Sequence, residues 1–141
     1  MSLVFWDTMI FVYWIEQHSQ FGKRVNEIRE RMWSRQDQLA TSTLTIGELL
    51  AGPHARGDAE LARQYRELLS RPLVQLISFT EETAEHFAKI RVDRTIDAPD
   101  AIQLACAAQA GVDLFLTNDR RLARKNVPGI QFIADLSFDY L

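Results

Sequence analysis

The sequence predicts a three-layer α/β/α fold, in which helices cover both faces of a central, mostly parallel five-stranded sheet. Short apolar runs alternate along the chain with longer helical patterns, as expected of parallel strands joined by crossover helices. The chain has 141 residues, of which 47% are hydrophobic, so it has the size and composition of a globular domain with one core. We therefore expect residues 1–141 to form a single domain.

Five apolar runs have the length and residue types of buried strands. In chain order they are residues 3–6, 39–43, 73–78, 113–117 and 130–133. Pro128 and Gly129 predict the turn that leads into the last run. Because crossovers between parallel strands are nearly always right-handed, the segments between these runs are expected to pack on the sheet.

The first two helical segments differ in character. Residues 8–16 predict a short, aromatic-rich helix. Residues 23–36 are charged and amphipathic, and Val25, Ile28 and Met32 have the spacing of one apolar stripe. The second helix is therefore expected to bury one face and expose the other.

The next three helices are predicted from their boundary residues and from their amphipathic patterns. They cover residues 44–51, 57–70 and 80–92. Gly52 followed by Pro53 predicts the end of the first of them. Thr80, followed by acidic residues, predicts an N-cap for the third.

The segment 98–110 predicts a buried helix, because it is apolar almost all the way round. Gly111 is placed to end it, and Cys106, the one cysteine, is expected to be a small core residue. Residues 119–125 predict one or two further helical turns.

The charge and the hydropathy pattern exclude several classes of protein. The net charge of −3 gives no overall attraction to nucleic acids or anionic membranes, so phosphate binding must rest on a local basic patch or on metal ions. No segment approaches the roughly 20 apolar residues of a membrane span, and the N-terminus lacks the features of a signal peptide. A single cysteine fits a reducing compartment, and we expect a cytoplasmic protein.

Four acidic residues occupy positions that a parallel sheet would bring together. Asp7 and Asp119 follow predicted strands, Glu48 lies just beyond another, and Asp100 lies near the start of the apolar helix. Ligands of such folds bind outside the carboxyl ends of the strands, where the strand order reverses. We therefore expect these carboxylates to converge in one crevice.

Such a group of carboxylates favours a divalent cation. Two unit charges about 5 Å apart repel by roughly 3 kcal/mol at an effective dielectric constant near 20, and a hard cation removes this penalty. Mg²⁺ or Mn²⁺ prefers oxygen ligands and keeps several waters, so one or two direct carboxylates suffice. A site of this kind suits the hydrolysis of phosphodiester bonds.

Other site chemistries find little support. The histidines are scattered and the cysteine stands alone, which disfavours zinc. The sequence contains neither the G-x-S-x-G turn of a serine hydrolase nor a phosphate-binding G-x-x-x-x-G-K-[ST] loop. For each acid, a purely structural role remains open: Asp7, Asp100 and Asp119 could act at helix N-termini, and Glu48 could be an ordinary surface residue. Asp97 is interpreted as the N-cap of the apolar helix.

Each of the four acids lies in a longer segment of characteristic residues, and these segments are Val4-Phe5-Trp6-Asp7-Thr8, Leu44-Thr45-Ile46-Gly47-Glu48-Leu49-Leu50-Ala51-Gly52, Ala98-Pro99-Asp100-Ala101-Ile102-Gln103-Leu104-Ala105 and Leu116-Thr117-Asn118-Asp119. Together they resemble the four acidic motifs of PIN domains, and most closely those of the VapC-like toxins of toxin–antitoxin pairs. The resemblance covers essentially the whole chain. One departure is Met9, where many relatives carry a small polar residue.

The resemblance implies a fold, an activity and partners. Asp7 and Asp100 would be the principal Mg²⁺ or Mn²⁺ ligands, and Glu48 and Asp119 would complete the acidic pocket directly or through water. Thr117 would orient a water or a carboxylate, and Asn118 would support that loop. The implied activity is metal-dependent endoribonuclease cleavage, and the implied partners are RNA, a second copy of the chain and a cognate antitoxin.

Basic and aromatic residues leave two further possibilities open. Arg120, Arg121, Arg124 and Lys125 follow Asp119 and could hold RNA phosphates or form a solvated helix face. The aromatic residues of the first two helices, Trp14 and Trp33 among them, are explained mostly by core packing, and a groove for a partner is the alternative.

Two other functions compete with the nuclease. The same fold could serve as a non-catalytic RNA- or protein-binding module, against which the intact acids argue. A phosphoacceptor regulatory domain would need adjacent acids after the first strand, an aspartate after the third and a lysine after the fifth. Here the third run leads into Phe79-Thr80, and the fifth is followed by Ala134-Asp135 with no lysine.

Overall fold

The computed structural model of the chain describes residues 1–70 and 72–139. Its elements, in chain order, are β1 (Leu3–Trp6), α1 (Thr8–Ile15), α2 (Gly22–Arg35), β2 (Gln38–Ser42), α3 (Thr43–Arg56), α4 (Ala59–Leu68), β3 (Gln75–Ile77), α5 (Glu81–Ile90), α6 (Ala98–Ala110), β4 (Leu114–Leu116) and β5 (Phe132–Ala134), with a 3₁₀ turn at Leu122–Arg124 before β5. None of the helices in these described ranges is long and apolar enough to span a membrane.

The five strands form one sheet in the order β3-β2-β1-β4-β5, and every neighbouring pair is parallel. This confirms the predicted fold class. The chain leaves β1 toward β2 and β3 and later returns to place β4 on the other side of β1. The strand order therefore reverses at β1, and the carboxyl end of β1 is the expected place for a ligand.

Apolar side chains cover the sheet on both faces. On one face, Val4 and Trp6 of β1 pack with residues of α1, α2, α3 and α4. On the other face, Phe5 packs with α5, α6 and the ring of Phe115 on β4, whose centroid lies 5.0 Å away. Successive residues of a strand point to opposite faces, so the run of buried residues in β1 supplies both cores. Cys106 is buried in the second core, and burial raises the pKa of its thiol to about 11.

Helix α3 is longer than predicted. The sequence predicts an end at Gly52 and Pro53, but the helix continues to Arg56, with Pro53 buried inside it. Proline removes one helical hydrogen bond, and here the burial of the ring offsets that loss. The helix ends instead at Gly57, whose φ of +67° gives the left-handed conformation typical of glycine after a helix.

Smaller differences concern element ends. The predicted strands 73–78 and 130–133 shorten or shift to Gln75–Ile77 and Phe132–Ala134, and the predicted turns at 119–125 reduce to one 3₁₀ turn. Helix α4 begins at Ala59, two residues later than predicted, because Asp58 accepts a hydrogen bond from the backbone N–H of Leu61 and caps it.

The two tryptophans differ in their surroundings. Trp14 is partly buried and packs edge-on against Trp6, with ring centroids 5.5 Å apart, as the core interpretation expects. Trp33 is 72% exposed, so core packing is the wrong interpretation for it. The guanidinium of Arg29 lies 5.3 Å from its ring centroid, a cation–π contact at the surface.

Gly129 gives a test of the packing around β5. Its φ is +98°, and a Cβ there would lie 2.8 Å from the carbonyl oxygen of Ala108. We expect Gly129→Ala to lower the free energy of unfolding by about 2 kcal/mol or more, from strain and overpacking together. Gly57→Ala is the control, because its φ is also positive but a Cβ would meet nothing within 4 Å. Urea unfolding compares the two variants, and equal losses would contradict the packing argument.

Candidate active site

Asp7 lies at the carboxyl end of β1, where the two halves of the sheet meet. Its Oδ1 accepts the backbone N–H of Thr8 at 2.9 Å, and its Oδ2 accepts the hydroxyl of Thr117 at 2.9 Å. The register of β1 and β4 pairs Trp6 with Leu116, which places the next residues, Asp7 and Thr117, side by side. Asp7 is also the N-cap of α1, which is the structural role that the sequence left open for it.

Asp119 reaches the same edge through the segment after β4. Its backbone N–H donates to the Thr117 hydroxyl oxygen at 3.1 Å, so Thr117 contacts both acidic residues. One carboxylate oxygen of Asp119 accepts the backbone N–H groups of Arg121 and Leu122 at 2.9 and 3.2 Å. Asn118 is held separately, by a hydrogen bond of 3.0 Å from its amide to the hydroxyl of Tyr13.

Glu48 lies on α3 and is tied to the site by hydroxyl and amide groups. The Thr8 hydroxyl donates to its Oε1 at 2.6 Å, and the Gln103 amide lies 3.4 Å from the same oxygen. Helix α3 begins directly after β2, with Ser42 as its N-cap. This places its first two turns at the same edge of the sheet as Asp7.

Asp100 occupies the first turn of α6, and its backbone N–H donates to Asp97 at 2.9 Å. Asp97 therefore is the N-cap, as the sequence predicts. The helix is mostly buried from Ala101 to Ala108, but Ala98 and Pro99 are exposed and Asp100 is only half-buried. The prediction of a buried helix over 98–110 therefore fails for its first turn, which emerges from the core at the cleft.

Two adjoining clefts connect the four acids. Asp7, Glu48 and Asp100 line a cleft of about 410 Å³. Asp100 and Asp119 line the next cleft, of about 350 Å³. Asp100 lies on both, so the clefts adjoin at this residue; the two together are called the acidic depression below.

Electrostatic repulsion among these groups is visible in their pKa values. Burial raises the pKa of Asp7; hydrogen bonds from Thr117 and Thr8 lower it, and the charges of Glu48 and Asp119 raise it again. Burial also raises the pKa of Asp100 to about 6, with further contributions from Asp97, Asp7 and Asp119. The depression thus disfavours its own negative charge, which is the condition that a bound cation relieves.

The donor set fits a hard divalent cation that keeps much of its water. All four candidate donors are carboxylates, the ligand type that Mg²⁺ and Mn²⁺ prefer. Among the described residues, no three acidic, histidine or cysteine side chains lie close enough to hold one ion together. A site with one or two direct carboxylates and several waters is therefore the arrangement that these residues fit.

A dependence of stability on pH follows from Asp100. Its pKa is about 6 in the folded chain against 3.8 without the fold, so the folded state binds this proton more tightly. Its stabilising contribution is complete below about pH 4 and is lost as the pH rises through 6. We expect Asp100→Asn to stabilise the metal-free protein at pH 7 by about 1 kcal/mol, after allowance for solvent screening.

Thermal unfolding in EDTA at pH 4 and pH 7 measures this effect. The melting temperature of Asp100→Asn should exceed that of the native protein at pH 7 and lose this excess at pH 4. Glu85→Gln, which removes an exposed charge on α5, is the control and should leave the melting temperature unchanged at both pH values. A less stable Asp100→Asn at pH 7 would contradict the repulsion argument.

Basic residues border the second cleft. Arg121, Arg124 and Lys125 line it together with Asp100 and Asp119. The Arg121 side chain is 84% exposed and lies 4.0 Å from Asp119, while Lys125 is bound to Asp93 at 2.9 Å. Arg120 lies apart, where its charge helps to lower the pKa of Asp135.

The sequence did not single out three polar residues that the structure places beside Glu48. They are Thr8, Thr45 and Gln103, which are joined by hydrogen bonds. One signal for Gln103 was available, because it is a polar residue in an otherwise apolar helix, one turn after Asp100. The two threonines carry no comparable signal, since threonine is common near helix starts.

Comparison with solved structures finds the same fold in several proteins of low sequence identity. VapBC2 from Rickettsia felis, solved bound to a promoter DNA fragment, matches with a TM-score of 0.75 and 17% identity over 94% of this chain and 98% of its own. A toxin–antitoxin complex from Klebsiella pneumoniae matches with a TM-score of 0.68 and 21% identity, over 90% of this chain and 94% of its own. VapC20 from Mycobacterium tuberculosis, a toxin that cleaves the sarcin–ricin loop, matches with a TM-score of 0.62 and 16% identity, over 79% of this chain and 86% of its own.

Sequence comparison gives the family directly. No curated protein sequence matches the chain, but the family model described as the PIN domain matches residues 4–128. That range runs from β1 past the last of the four acidic residues, and it confirms the resemblance seen in the four motifs. The chain belongs to the PIN domain family and has the fold of the VapC toxins.

Proposed function

We propose that this protein is a metal-dependent endoribonuclease, the toxin component of a toxin–antitoxin pair, with residues 1–141 acting as one nuclease domain. The observation that carries the proposal is the depression lined by Asp7, Glu48, Asp100 and Asp119, in which burial and mutual repulsion raise the pKa values of Asp7 and Asp100. Membership of the PIN family supports a nuclease, and the similarity to VapC20 supports RNA as the substrate.

The metal ligands follow from the position of each acid. Asp7 and Asp100 would hold Mg²⁺ or Mn²⁺ directly, and Glu48 and Asp119 would do so directly or through water. Bound there, the ion supplies a Lewis acid for a phosphoryl oxygen and lowers the pKa of an attacking water. Asp7 and Asp100 are proposed as direct ligands because Asp7 lies at the carboxyl end of β1, where the strand order reverses, and Asp100 lines both clefts.

The polar neighbours of the acids orient them for this task. The Thr117 hydroxyl donates to Asp7 and accepts from the backbone of Asp119, so it holds both residues in one arrangement. Thr8 supplies the second hydrogen bond to Asp7 through its backbone and holds Glu48 through its side chain. Such partners fix the direction of a carboxylate before substrate arrives.

The substrate would contact the basic side of the depression. Arg121 and Arg124 are exposed beside Asp119, and their guanidinium groups suit the phosphates that flank a cleavage position. Lys125 is engaged by Asp93 and would contribute charge without leaving that pair. RNA binding should therefore weaken with rising salt concentration, since each neutralised phosphate releases counterions.

The proposed partners are a cognate antitoxin and a second copy of the chain, in the cytoplasm. VapBC2, the Klebsiella pneumoniae structure and VapBC-5 from Mycobacterium tuberculosis, which has a TM-score of 0.64 and 17% identity to this chain, are all toxin–antitoxin systems. A short antitoxin-like reading frame directly upstream of the gene, whose product copurifies with this chain, would support the pairing.

Cleavage of total RNA tests the proposed chemistry. We expect the purified protein to cut RNA in Mn²⁺ or Mg²⁺, and to lose that activity in EDTA and regain it when Mn²⁺ is restored. Cleavage that persists in EDTA would contradict the metal dependence. RNA binding without any cleavage would favour the alternative, a non-catalytic binding module.

A further inference from the structure

Gln103 is a buried amide in a helix that is otherwise apolar. It is 2% exposed, and its neighbours Leu104, Ala105 and Cys106 all belong to the core. A buried amide costs free energy unless its donors and acceptor are paired. The side chain lies one helical turn after Asp100, so the partners that pair it are on the site side of α6.

The partners of Gln103 fix the orientation of its amide. The Ser42 hydroxyl donates to its Oε1. Its Nε2 lies 2.8 Å from the Thr45 hydroxyl oxygen, 3.0 Å from that of Thr8 and 3.4 Å from Oε1 of Glu48. Because a carboxylate can only accept, the nitrogen and not the oxygen must face Glu48.

The hydrogen bonds then have a direction. The Gln103 N–H donates to the Thr8 hydroxyl oxygen, which leaves the Thr8 proton to donate to Glu48 at 2.6 Å. The competing acceptor for that proton, the Thr45 oxygen, is farther away at 3.3 Å and already accepts from the other N–H of the Gln103 amide at 2.8 Å. The chain of donors therefore ends on one oxygen of Glu48.

Glu48 depends on this support. It is an exposed residue on α3 with a flexible side chain, and holding such a side chain in one rotamer costs conformational entropy. Its Oε1 is held by Thr8 and Gln103, and within the described residues its Oε2 accepts no hydrogen bond. One oxygen is thus fixed, and the residue as a whole lines the first cleft.

We propose that Gln103 is a positioning residue, which acts through the Thr8 hydroxyl to hold the Glu48 carboxylate toward the metal and the substrate. This inference rests on the proposed function for its catalytic meaning, but its geometric part concerns Glu48 alone. Partners that orient a metal-binding carboxylate change metal affinity or activity by about 10- to 100-fold when they are removed. A purely structural role, tying α6 to the start of α3, is the rival explanation.

A double-mutant cycle separates the two explanations. We expect Gln103→Leu to lower Mn²⁺ affinity and kcat by about 10- to 100-fold. In a Glu48→Gln background, where the carboxylate is already absent, the same change should have less than about a threefold effect. A full loss that persists in that background would overturn the proposal, because it would mean that Gln103 acts on the site through general packing.

Two further variants control for folding. Gln109→Leu removes another amide of α6, which accepts from Thr83 on the far side of the helix, and it should leave Mn²⁺ affinity and kcat unchanged. Thr8→Val breaks the same chain of donors at the hydroxyl; the Gln103 amide loses that acceptor but keeps Thr45 and Ser42 as partners. If Gln103→Leu does not fold, Thr8→Val must show the loss, and normal activity of that variant would overturn the proposal.

Crystal structures of the native protein and of Gln103→Leu give a readout that needs no activity. We expect the Glu48 side chain to leave Thr8 in the variant and to adopt more than one rotamer. An unmoved Glu48 would overturn the inference even if activity fell. If the native protein neither binds Mn²⁺ nor cleaves RNA, the proposed function fails, and the position of Glu48 still decides whether Gln103 holds it.

Discussion

Asp100→Asn should lower RNA cleavage by about 1000-fold while leaving the protein folded. Asp100 borders both clefts, so it is the one acid placed to serve ion and substrate together. Loss of a ligand whose ion stabilises transition-state charge by several kcal/mol corresponds to a rate loss of this size. The asparagine has the same shape and lies in a half-exposed turn, and the fold should therefore tolerate it.

Asp97→Asn is the matched control for Asp100→Asn. Asp97 lies three residues earlier and caps α6 by accepting the backbone N–H of Asp100. Asparagine caps helices about as well as aspartate, so this variant removes a nearby charge but keeps the local structure. We expect its activity to stay within a few-fold of the native value, measured as single-turnover cleavage of one labelled RNA. Equal losses in the two variants would show that charge alone, and not the position of Asp100, matters.

Asp7→Asn should cause a loss of similar size, about 1000-fold. Asp7 is more deeply buried than Asp100, and both of its oxygens already accept hydrogen bonds. Asparagine keeps the oxygen that caps α1, but it places an amide N–H where the Thr117 hydroxyl now donates. The variant therefore loses a charged ligand and also disturbs the contact that holds Asp119.

The combined variant tests whether the two acids act as a unit. The double variant Asp7→Asn/Asp100→Asn should cleave RNA little more slowly than the less active of the two single variants, because the effects of groups that serve one ion are not additive. Asp58→Asn, at the cap of α4, controls for the loss of a capping carboxylate and should keep full activity. If the fold-loss of cleavage in the double variant equalled the product of the two single losses, the idea that both acids serve one ion would be contradicted.

The order of elements could be predicted from the sequence because hydrophobic spacing records it directly. The runs at β1 and β4 are buried on both faces of the sheet and therefore stand out as continuous apolar segments. The placement of Asp7 and Asp119 at one edge followed from the same argument, since Asp7 comes directly after β1 and Asp119 comes three residues after the end of the neighbouring parallel strand β4. In these places the local sequence and the tertiary structure agree.

Other features depend on contacts that spacing does not record. The rule that Gly followed by Pro ends a helix fails at Pro53, because burial of that ring stabilises the longer helix. The half-exposure of Asp100 depends on where α6 leaves the core, which its composition does not indicate. The hydrogen bonds between Gln103, Thr8 and Glu48 join positions up to 95 residues apart, and pairing at that distance is visible only in the fold.

Mn²⁺ titration of the metal-free protein, followed by calorimetry, tests the central claim most directly, since it measures whether the acidic depression takes up a cation. We expect saturable binding to the native chain, weakened at least about tenfold by Asp7→Asn and by Asp100→Asn and unchanged by Asp97→Asn. No binding to the native protein, or binding that none of these acids affects, would contradict that claim.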